Sequence, residues 1–342
     1  MTNIKDVAKQ AGVSIATVSN VFNNPEIVSP ATIERVRRIA EALQYRPNRI
    51  AQGLVGSKTR MVGVVVPDIN NLVYAETVKA IESVLRSNDY SMLLFCTEYD
   101  FERSQEAVRY LLDNKVDGVI FSSSAAAISA DCITQIIKHQ VPVVGMDIVS
   151  EIIDLVSVNV IDGVFQAMKH LIELGHRRVG FISGSLHNGA VVRRANQRFE
   201  GYIKALQQSG LPIDSQIIHS DGTASFDLGE KVMREWIQHK KDLPTAVLAA
   251  RDDIANGIMV AASSCGMSIP GDISVIGYAN YDYSRFSIPP LTTIDIPTFE
   301  TGRLCAELLL KRIKNPVGER ERILLPSKLV LRSSTAAPRV ST

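Results

Sequence analysis

The chain has 342 residues, 46% of them hydrophobic, and its 37 Lys and Arg against 36 Asp and Glu give a net charge of +1 at pH 7. This length predicts two or three domains, and the composition excludes a disordered chain. No apolar run approaches the roughly eighteen residues of a transmembrane helix, and the N-terminus lacks an export-signal pattern, so we expect a cytoplasmic protein. Four widely spaced cysteines without a Cys-x-x-Cys pair predict free thiols, no disulfide and no metal, and no cofactor is expected.

The segment from Thr2 to Asn23 predicts two short helices joined at Gly12. Gly12 stands where a helix ends in the left-handed region, and Ser14 is a favourable N-cap for the second helix. Apolar residues recur at helical spacing in the first helix, at Ile4, Val7, Ala8 and Ala11. In the second helix Val18, Val21 and Phe22 are expected to point inward, leaving an open face of Ile15, Ala16, Ser19 and Asn20. This is the helix-turn-helix layout, whose second helix enters the DNA major groove.

A third helix is predicted to complete this small core. Ser29 caps it, Pro30 occupies its first turn, and an apolar stripe follows at Ile33, Val36, Ala40 and Leu43. Residues 1–60 contain nine Lys or Arg and four Asp or Glu, a net charge of +5, so with +1 for the whole chain the other 282 residues carry −4. A basic segment joined to a helix-turn-helix indicates a polyanion partner, DNA.

Beyond residue 60, apolar runs of strand length alternate with helical patterns. Runs at 61–67, 91–96, 118–121, 141–146 and 156–158 are separated by helical patterns, and the alternation restarts and continues to 274–277. A last helix is predicted near 299–314 and a strand-like segment at 323–331. Regular alternation predicts parallel sheets in two doubly wound halves, with a ligand cleft beyond the carboxyl ends of the strands.

Many short motifs carry a family resemblance. They are Thr2-Asn-Ile-Lys-Asp-Val-Ala, Ala11-Gly-Val-Ser, Thr17-Val-Ser, Tyr45-Arg-Pro-Asn48, Val64-Val-Val-Pro-Asp-Ile-Asn70, Val116-Asp-Gly-Val119, Leu174-Gly-His-Arg-Arg-Val179, Arg198-Phe-Glu-Gly201, Pro244-Thr-Ala-Val247, Ile276-Gly-Tyr278 and Pro290-Leu-Thr-Thr-Ile294. In order and spacing over nearly the whole chain, they resemble the lactose-repressor family of bacterial transcription factors.

The resemblance implies an all-α helix-turn-helix headpiece (1–47), a hinge helix and linker (48–60), and an α/β core (61–342) similar to periplasmic sugar-binding proteins. We expect the core to divide into an N-subdomain of about 61–160 plus 295–320 and a C-subdomain of about 161–294 plus 321–342. It also implies a homodimer on a near-palindromic DNA operator, with a small-molecule effector bound between the subdomains. A polar tail without a heptad repeat favours a dimer over a tetramer.

By family position, Ile15, Ala16 and Asn20 read bases. Ile15 and Ala16 offer apolar contacts, while Asn20 donates and accepts at a base edge. Thr17 and Ser19 are better placed for phosphates, which position the headpiece without reading sequence. The remaining expected DNA contacts are Thr2, Ser14, Asn23, Ser29, Arg49 and Leu54. Leu54 matches the leucine that wedges into the minor groove in this family, and flanking glycines suit a hinge that orders on DNA.

The effector site is expected to use Arg198 on hydroxyls or a carboxylate, and Asp252 as an acceptor. The other expected effector residues are Asn70, Tyr74, Asp147, Asn196 and Asn280. This chain also departs from its relatives. Ile148 and Gly222 replace the aromatic rings of purine-binding members, which disfavours a stacked purine. Arg251 stands where a small or amide residue is usual, and Ala279 where an acid is common; the added positive charge and the lost negative charge favour an anionic ligand such as a sugar phosphate or sugar acid. An arginine with a carboxylate and several amides suits a polyol, so the expected effector is a sugar, sugar phosphate or sugar acid.

The sequence allows three alternatives to this interpretation to be compared with it. An enzyme on this fold is disfavoured because no Gly-x-Gly-x-x-Gly, P-loop, Gly-x-Ser-x-Gly or His-Glu-x-x-His motif is present. A transport binding protein would need an export signal and no headpiece. A regulator of the same family controlled by a protein corepressor or a non-sugar metabolite is the remaining alternative. No residue distinguishes an inducer from a small-molecule corepressor, or a repressor from a dual regulator.

Overall fold

The structure is a computed structural model that describes residues 3–45, 58–122, 130–148, 150–184, 193–239 and 243–339. The chain divides into two compact units, Met1–Thr59 and Arg60–Thr342, called here the headpiece and the core. Most of the predicted hinge segment, 48–60, lies outside the described residues.

The headpiece contains three α-helices in its described part, α1 (Ile4–Ala11), α2 (Ile15–Asn23) and α3 (Pro30–Ala42), with a short 3₁₀ turn at Pro25–Ile27. Seven small or β-branched side chains form its buried centre, namely Val7, Ala8, Ala11, Val18, Val21, Val36 and Ala40. The predicted helix-turn-helix and third helix are therefore confirmed.

Local hydrogen bonds explain where these helices begin and end. Asn3 and Asp6 form a capping box at α1, since each side chain accepts from the other's backbone N–H. Gly12 ends α1 at φ 63°, in the left-handed region, as its position predicts. Ser14 caps α2 and Ser29 caps α3, each accepting a backbone N–H three residues ahead. The two helices of the motif are thus fixed at their junction.

The core contains two six-stranded sheets. Its elements in chain order are β1 (Met61–Val66), α4 (Leu72–Ser87), β2 (Ser91–Cys96), α5 (Phe101–Asp113), β3 (Gly118–Ser122), α6 (Ala130–Lys138), β4 (Val143–Met146), β5 (Asp154–Asn159), α7 (Val160–Glu173), β6 (Val179–Ile182), α8 (Arg193–Gln208), β7 (Ile218–His219), α9 (Phe226–His239), β8 (Ala246–Ala249), α10 (Asp252–Ser264), β9 (Ser274–Tyr278), β10 (Thr292–Asp295), α11 (Thr298–Lys314), β11 (Arg322–Pro326) and β12 (Lys328–Val330). Short 3₁₀ turns lie at Ser215–Ile217 and Asp282–Arg285.

The first subdomain is built on the sheet β11-β5-β4-β3-β1-β2, which is parallel throughout. The second is built on β12-β10-β9-β8-β6-β7, which is parallel except where β12 joins β10. The central strands are buried on both faces, which explains their unbroken apolar sequences. The predicted pair of doubly wound subdomains is confirmed.

The chain passes between the two subdomains after β5, after β10 and after β11. The segment 323–331 was expected to form one strand, and 321–342 was placed with the second subdomain. In the structure, β11 pairs with β5 in the first sheet and only β12 joins the second. At the crossing, Ser327 is buried and donates to the carbonyl of Asn159 over 2.6 Å. A Cβ on Gly163 would lie 2.2 Å from the Ser327 hydroxyl, so the crossing needs a glycine there.

A buried ion pair explains why β11 returns to the first sheet. Arg312, on α11, donates from Nε and Nη2 to the two carboxylate oxygens of Asp154 over 2.6 and 2.9 Å. The side chains of Arg312 and Asp154 are 5% and 0% exposed. The backbone N–H of Glu321, just before β11, donates to the same carboxylate over 2.7 Å. Three hydrogen bonds thus tie α11 and β11 to the start of β5.

The segment after β12 runs along the second sheet. The Ser334 hydroxyl accepts from the N–H of Thr292 and donates to the carbonyl of Val275. His176, which is 1% exposed, contacts the Ala336 carbonyl through Nε2 and the Thr245 hydroxyl through Nδ1, both over 2.8 Å. Burial lowers the pKa of His176, and of His170 nearby. His176 is therefore a structural side chain that is held neutral.

This environment predicts a pH dependence of stability. Because the folded-state pKa of His176 is lowered, the unfolded chain binds a proton more readily, and stability should fall as pH drops through the ordinary histidine range. We expect the urea midpoint of the full chain to decrease between about pH 7.5 and about pH 5.5. His176→Gln, whose amide can serve both partners, should reduce the decrease, whereas His239→Gln on the exposed end of α9 should leave it unchanged. If the urea midpoint of the His176→Gln protein decreased with pH as steeply as that of the parent protein, His176 would not be the source of the pH dependence.

Candidate functional site

In the headpiece, the start of α2 presents side chains that the headpiece does not cover. Ile15 is 45% exposed and Ala16 is exposed, although Val18 and Val21, on the opposite face of the helix, are 0% exposed. Thr17, Ser19 and Asn20 are half-buried at the edge of this face. An isoleucine left open on a helix whose other face is filled is suited to an apolar contact with an external surface.

Two expected DNA contacts also hold the helices of the headpiece. The Ser14 hydroxyl accepts from the Thr17 N–H over 3.0 Å, and Ser29 does the same for Thr32 over 3.4 Å. Both serines are exposed, so their capping hydrogen bonds do not remove them from the surface. The other headpiece and hinge predictions, Thr2, the Asn23 side chain, Arg49 and Leu54, lie outside the described residues.

In the core, one hydrogen bond joins the subdomains where the effector is expected. Tyr281 follows β9 of the second subdomain, and its hydroxyl donates to Asn71 Oδ1 of the first over 3.1 Å. Asn71 also caps α4, accepting the N–H of Val73 over 3.1 Å. Val73 in turn packs into the apolar core of the second subdomain. The preceding residue, the predicted Asn70, is exposed, and its N–H donates to Asp68. The structure therefore places Asn71, not Asn70, at the junction.

Several aromatic side chains surround this hydrogen bond. Tyr74, an expected effector contact, is buried at the start of α4, and Tyr99 lies within hydrogen-bonding reach of Asn71. Burial raises the pKa of both Tyr99 and Tyr281, so both phenols are neutral at physiological pH and able to donate. Tyr281 also packs against the ring of Tyr283, with 5.4 Å between ring centroids.

Two arginines stand beside these tyrosines. The guanidinium of Arg198, on α8, lies 4.7 Å from the centre of the Tyr278 ring. Arg251, between β8 and α10, interacts electrostatically with Tyr99 of the first subdomain and Tyr281 of the second. Both arginines act to lower the pKa of Tyr281, whereas Asp253 and Asp252 act to raise it. The structure therefore places Arg198, an expected effector contact, next to this cluster, and Arg251 belongs to the cluster as well.

Arg251 is held by a neighbouring carboxylate. Its Nη2 donates to Asp253 Oδ2, and the two side chains are 21% and 20% exposed. Asp253 uses its other oxygen to accept the N–H of Ile254 over 2.8 Å. The Nε of Arg251 is buried and has no hydrogen-bond partner within the described part of the chain. This ion pair is therefore partly accessible at the cleft.

Asp252 was expected to accept hydrogen bonds from the effector, and the structure does not present it for that role. It is 0% exposed. One carboxylate oxygen accepts from the Tyr281 N–H over 2.8 Å and from the Ser284 hydroxyl over 2.6 Å, and the other accepts from the Thr293 hydroxyl over 2.5 Å. Burial raises the pKa of this carboxyl, and the three hydrogen bonds act in the opposite direction. Asp252 therefore fixes the loop that carries Tyr281.

Asn280 is likewise engaged within the second subdomain. Its amide donates to Asp295 over 2.8 Å and accepts from Arg332 over 2.6 Å. Both atoms of the Asn280 amide group are thus used by the protein itself. The side chain of Asn196, the neighbour of Gln197 on α8, lies outside the described residues.

Asp147 lies at a cavity that both subdomains line. The cavity measures about 340 Å³, and its walls include Asp147 and Ser157 of the first subdomain and Gln197 of the second. Asp147 is buried at φ 54°, and its Oδ1 accepts the N–H of Val158 over 2.9 Å. Ile148, where purine-binding relatives are expected to have a ring, is a cavity wall. The volume is within the range of small-ligand pockets.

Composition does not separate these neighbouring residues. Asn70 and Asn71, or Asp252 and Asp253, are equivalent by composition, and only the backbone decides which member faces the cleft. Asn71 alone carries a usable signal, because an amide immediately before a helical pattern is a good N-cap.

The geometry of Asp252 predicts a large effect on stability. Asp252→Ala leaves one buried N–H and two buried hydroxyls without their acceptor, which should lower the free energy of unfolding by about 3 kcal/mol. Asp227→Ala, at an exposed position in the first turn of α9, should change it by less than about 0.5 kcal/mol. Urea unfolding of both proteins checks this, and equal losses would contradict the role given to Asp252.

The described residues contain no group of His, Cys, Asp or Glu that would hold a metal ion, and no helix among them is long and apolar enough to cross a membrane. Two family models match the chain: the lacI family of bacterial regulatory proteins over residues 3–48, and the periplasmic binding protein-like domain over residues 168–335.

Relatives match over nearly the whole chain. Catabolite control protein A of Priestia megaterium is 32% identical over 335 residues, covering 97% of this chain and 98% of that protein. The crystal structure of the lac repressor dimer bound to operator and the anti-inducer ONPF superimposes with a TM-score of 0.86 at 30% identity, covering 98% of this chain and 99% of that one. A regulator from Enterococcus faecium with bound ribose superimposes with a TM-score of 0.72 at 30% identity, covering 82% of this chain and 100% of that one. By its matched headpiece and these full-length relatives, the chain belongs to the lacI family of bacterial regulatory proteins.

Proposed function

We propose that this protein is a sequence-specific repressor of transcription whose affinity for operator DNA is set by a small-molecule effector bound between its two core subdomains. The observation that carries the proposal is the open face of α2, where Ile15 is 45% exposed over a filled headpiece core. A face of this kind fits the major groove. The similar lac repressor was crystallised on its operator, which supports this use of the headpiece.

The proposed DNA contacts divide into two groups. Ile15, Ala16 and Asn20 face base edges, where Asn20 is suited to adenine and Ile15 to a thymine methyl. Thr17, Ser19 and the capping serines contact phosphates, and the exposed Arg35 and Arg37 of α3 add long-range attraction. Thr2, Asn23, Arg49 and Leu54 keep their predicted roles as DNA contacts.

We also propose a homodimer on a near-palindromic operator. The related lac repressor is a dimer on its operator. In this chain, Phe286 and Ile288, in the loop between β9 and β10, are 71% and 93% exposed. Large apolar side chains at this exposure are suited to burial by a second copy. Two headpieces related by a twofold axis would read a site whose halves are inverted repeats.

The proposed effector site combines both subdomains. Asn71, Tyr74 and Tyr99 contribute from the first, and Arg198, Arg251 and Tyr281 from the second, while Asp147 lines a cavity that both subdomains share. A relative with bound ribose supports a sugar-derived effector. Control by a protein corepressor or by a non-sugar metabolite is the alternative, and titration of the purified protein with sugars and with other metabolites separates these possibilities.

Selection from random duplex DNA by the purified full chain tests the main proposal. We expect enrichment of one site with twofold symmetry, and binding that weakens steeply with salt because phosphate contacts release counterions. A protein that enriched no symmetric site, with or without cell metabolites present, would contradict the proposal.

Substitution of one base-reading residue gives a sharper test. Asn20→Ala should weaken binding to the selected site by about 1–3 kcal/mol and relax specificity at a single position of each half-site. Ser19→Ala, at a proposed phosphate contact, should instead weaken binding to all sequences by a similar factor. Titration against the selected site and its single-base variants measures both patterns. Specificity unchanged in the Asn20→Ala protein would exclude Asn20 as a base contact.

A further inference from the structure

The hydroxyl of Tyr281 lies close to several charged side chains of the cleft. It donates to Asn71 of the first subdomain over 3.1 Å, and four charged side chains of the second subdomain act on it electrostatically, Arg251 and Arg198 in one direction and Asp253 and Asp252 in the other. Tyr281 is only 6% exposed, so these charges act across a largely dry environment in which electrostatic interactions are strong. A group that bound beside this hydroxyl would contact both subdomains at once.

The polar groups near Tyr281 are mainly donors. Arg198, Arg251 and Tyr99 have hydrogens to donate, and Tyr281 donates its one hydroxyl hydrogen to Asn71; the raised pKa values of the two phenols keep them protonated. The nearby acceptors in the described part of this cluster are already used: Asp252 by three protein donors and the Asn280 amide by Arg332. A neutral polyol needs acceptors as well as donors, whereas an anion needs only donors.

Asp253 is the one carboxylate paired with Arg251 within the described part of the cleft. Both side chains are about one-fifth exposed, so the pair is reachable from solvent. The adjoining Nε of Arg251 is buried without a hydrogen-bond partner among the described residues. Asp253 thus accepts from Nη2 only, and the Nε–H on the same edge of the guanidinium is left without a partner among the described residues. A carboxylate or phosphate ester matches this fork with two oxygens, which a hydroxyl group cannot do.

We propose that the effector carries an anionic group, a carboxylate or a phosphate ester, which binds Arg251 with support from Arg198 and Tyr281 and displaces Asp253 from its ion pair. This inference rests on the proposed function, since it concerns the same interlobe site. Asp253 keeps the Arg251 charge compensated while the site is empty, because an unpaired charge at this depth would be costly. The anion replaces that partner and adds contact with the hydroxyl that joins the subdomains.

Asp253 separates this proposal from binding of a neutral sugar. Asp253→Asn removes the competing negative charge but keeps the acceptor oxygen for the Ile254 N–H. If the ligand is anionic, the variant should bind it about tenfold more tightly, because Arg251 no longer has to leave a partner. If the ligand is a neutral polyol that uses Asp253 as an acceptor, the same variant should bind it more weakly. The two possibilities therefore predict changes of opposite sign.

The probes are inorganic phosphate and acetate, each at about 20 mM, compared with KCl of equal ionic strength. Thermal unfolding of the full chain measures binding, since a ligand of the folded state raises the melting temperature by mass action. We expect phosphate or acetate to raise the melting temperature above the KCl reference, and the Asp253→Asn protein to show a larger rise. A rise in melting temperature with phosphate alone indicates a phosphate ester as the effector group, and a rise with acetate alone indicates a carboxylate.

Two variants serve as controls. Arg251→Met keeps the length of the side chain without its charge and should abolish the anion-specific rise. Asp227→Asn makes the same charge change in the first turn of α9, at an exposed position, and should respond like the parent protein. The inference is overturned if neither anion exceeds KCl, if the Arg251→Met protein responds like the parent, or if Asp253→Asn weakens the response.

Failure of this inference is distinguishable from failure of the proposed function. A protein that selects a symmetric operator and is released or secured by neutral sugars alone retains the proposed function but lacks an anionic effector. A protein that selects no operator lacks the proposed function, whatever its response to phosphate.

Discussion

The arrangement of the cleft depends on one buried carboxylate. Asp252 is fully enclosed, and its carboxylate accepts hydrogen bonds from a backbone N–H and two hydroxyls of the loop after β9 and of β10, with Arg332 acting on it electrostatically. These hydrogen bonds fix the backbone of Tyr281. They also explain Gly277, because a Cβ there would lie 2.1 Å from the Asp252 carboxylate. The neighbours of Asp252 in sequence, Arg251 and Asp253, are thereby set at the surface of the cleft.

The second constraint is the way in which the chain joins the subdomains. Three segments cross between them. Two of the crossings are the β5–α7 and β11–β12 connections, and Ser327 of the second donates a hydrogen bond to the carbonyl of Asn159 in the first. The buried pair of Arg312 and Asp154 holds β11 on the first sheet, so the crossing to β12 must occur within a residue or two. Short connections that lie side by side permit one subdomain to rotate against the other with little change inside either.

Much of this architecture could be predicted from the sequence, because it follows from periodicity. The spacing of Val7, Ala11, Val18 and Val21 dictates the headpiece, and the unbroken apolar strands dictate two parallel sheets. The division of 323–331 between two sheets could not be predicted, since it depends on a buried ion pair between residues that are distant in sequence. The choice of Asn71 over Asn70 could be predicted only from the N-cap position of Asn71 before a helical pattern, because adjacent residues of one type otherwise differ only in the direction that the folded backbone gives them. Asp252 and Asp253 repeat that ambiguity with opposite consequences, one buried as a structural acceptor and the other paired with Arg251.

The energy available at the cleft limits how an effector can act. The Tyr281–Asn71 hydrogen bond contributes on the order of 1 kcal/mol, as a neutral hydrogen bond exchanged with water does. Moving a two-state equilibrium from almost entirely open to almost entirely closed requires about 5.5 kcal/mol of differential affinity. That one bond therefore holds the empty subdomains together only weakly, and most of the difference must come from contacts that the ligand makes with both subdomains. Under the proposal above, charge-assisted contacts to Arg198 and Arg251 hold the ligand on the second subdomain, and the differential affinity comes from the contacts that the same ligand makes near Asn71 and Tyr99 of the first subdomain when the two are close.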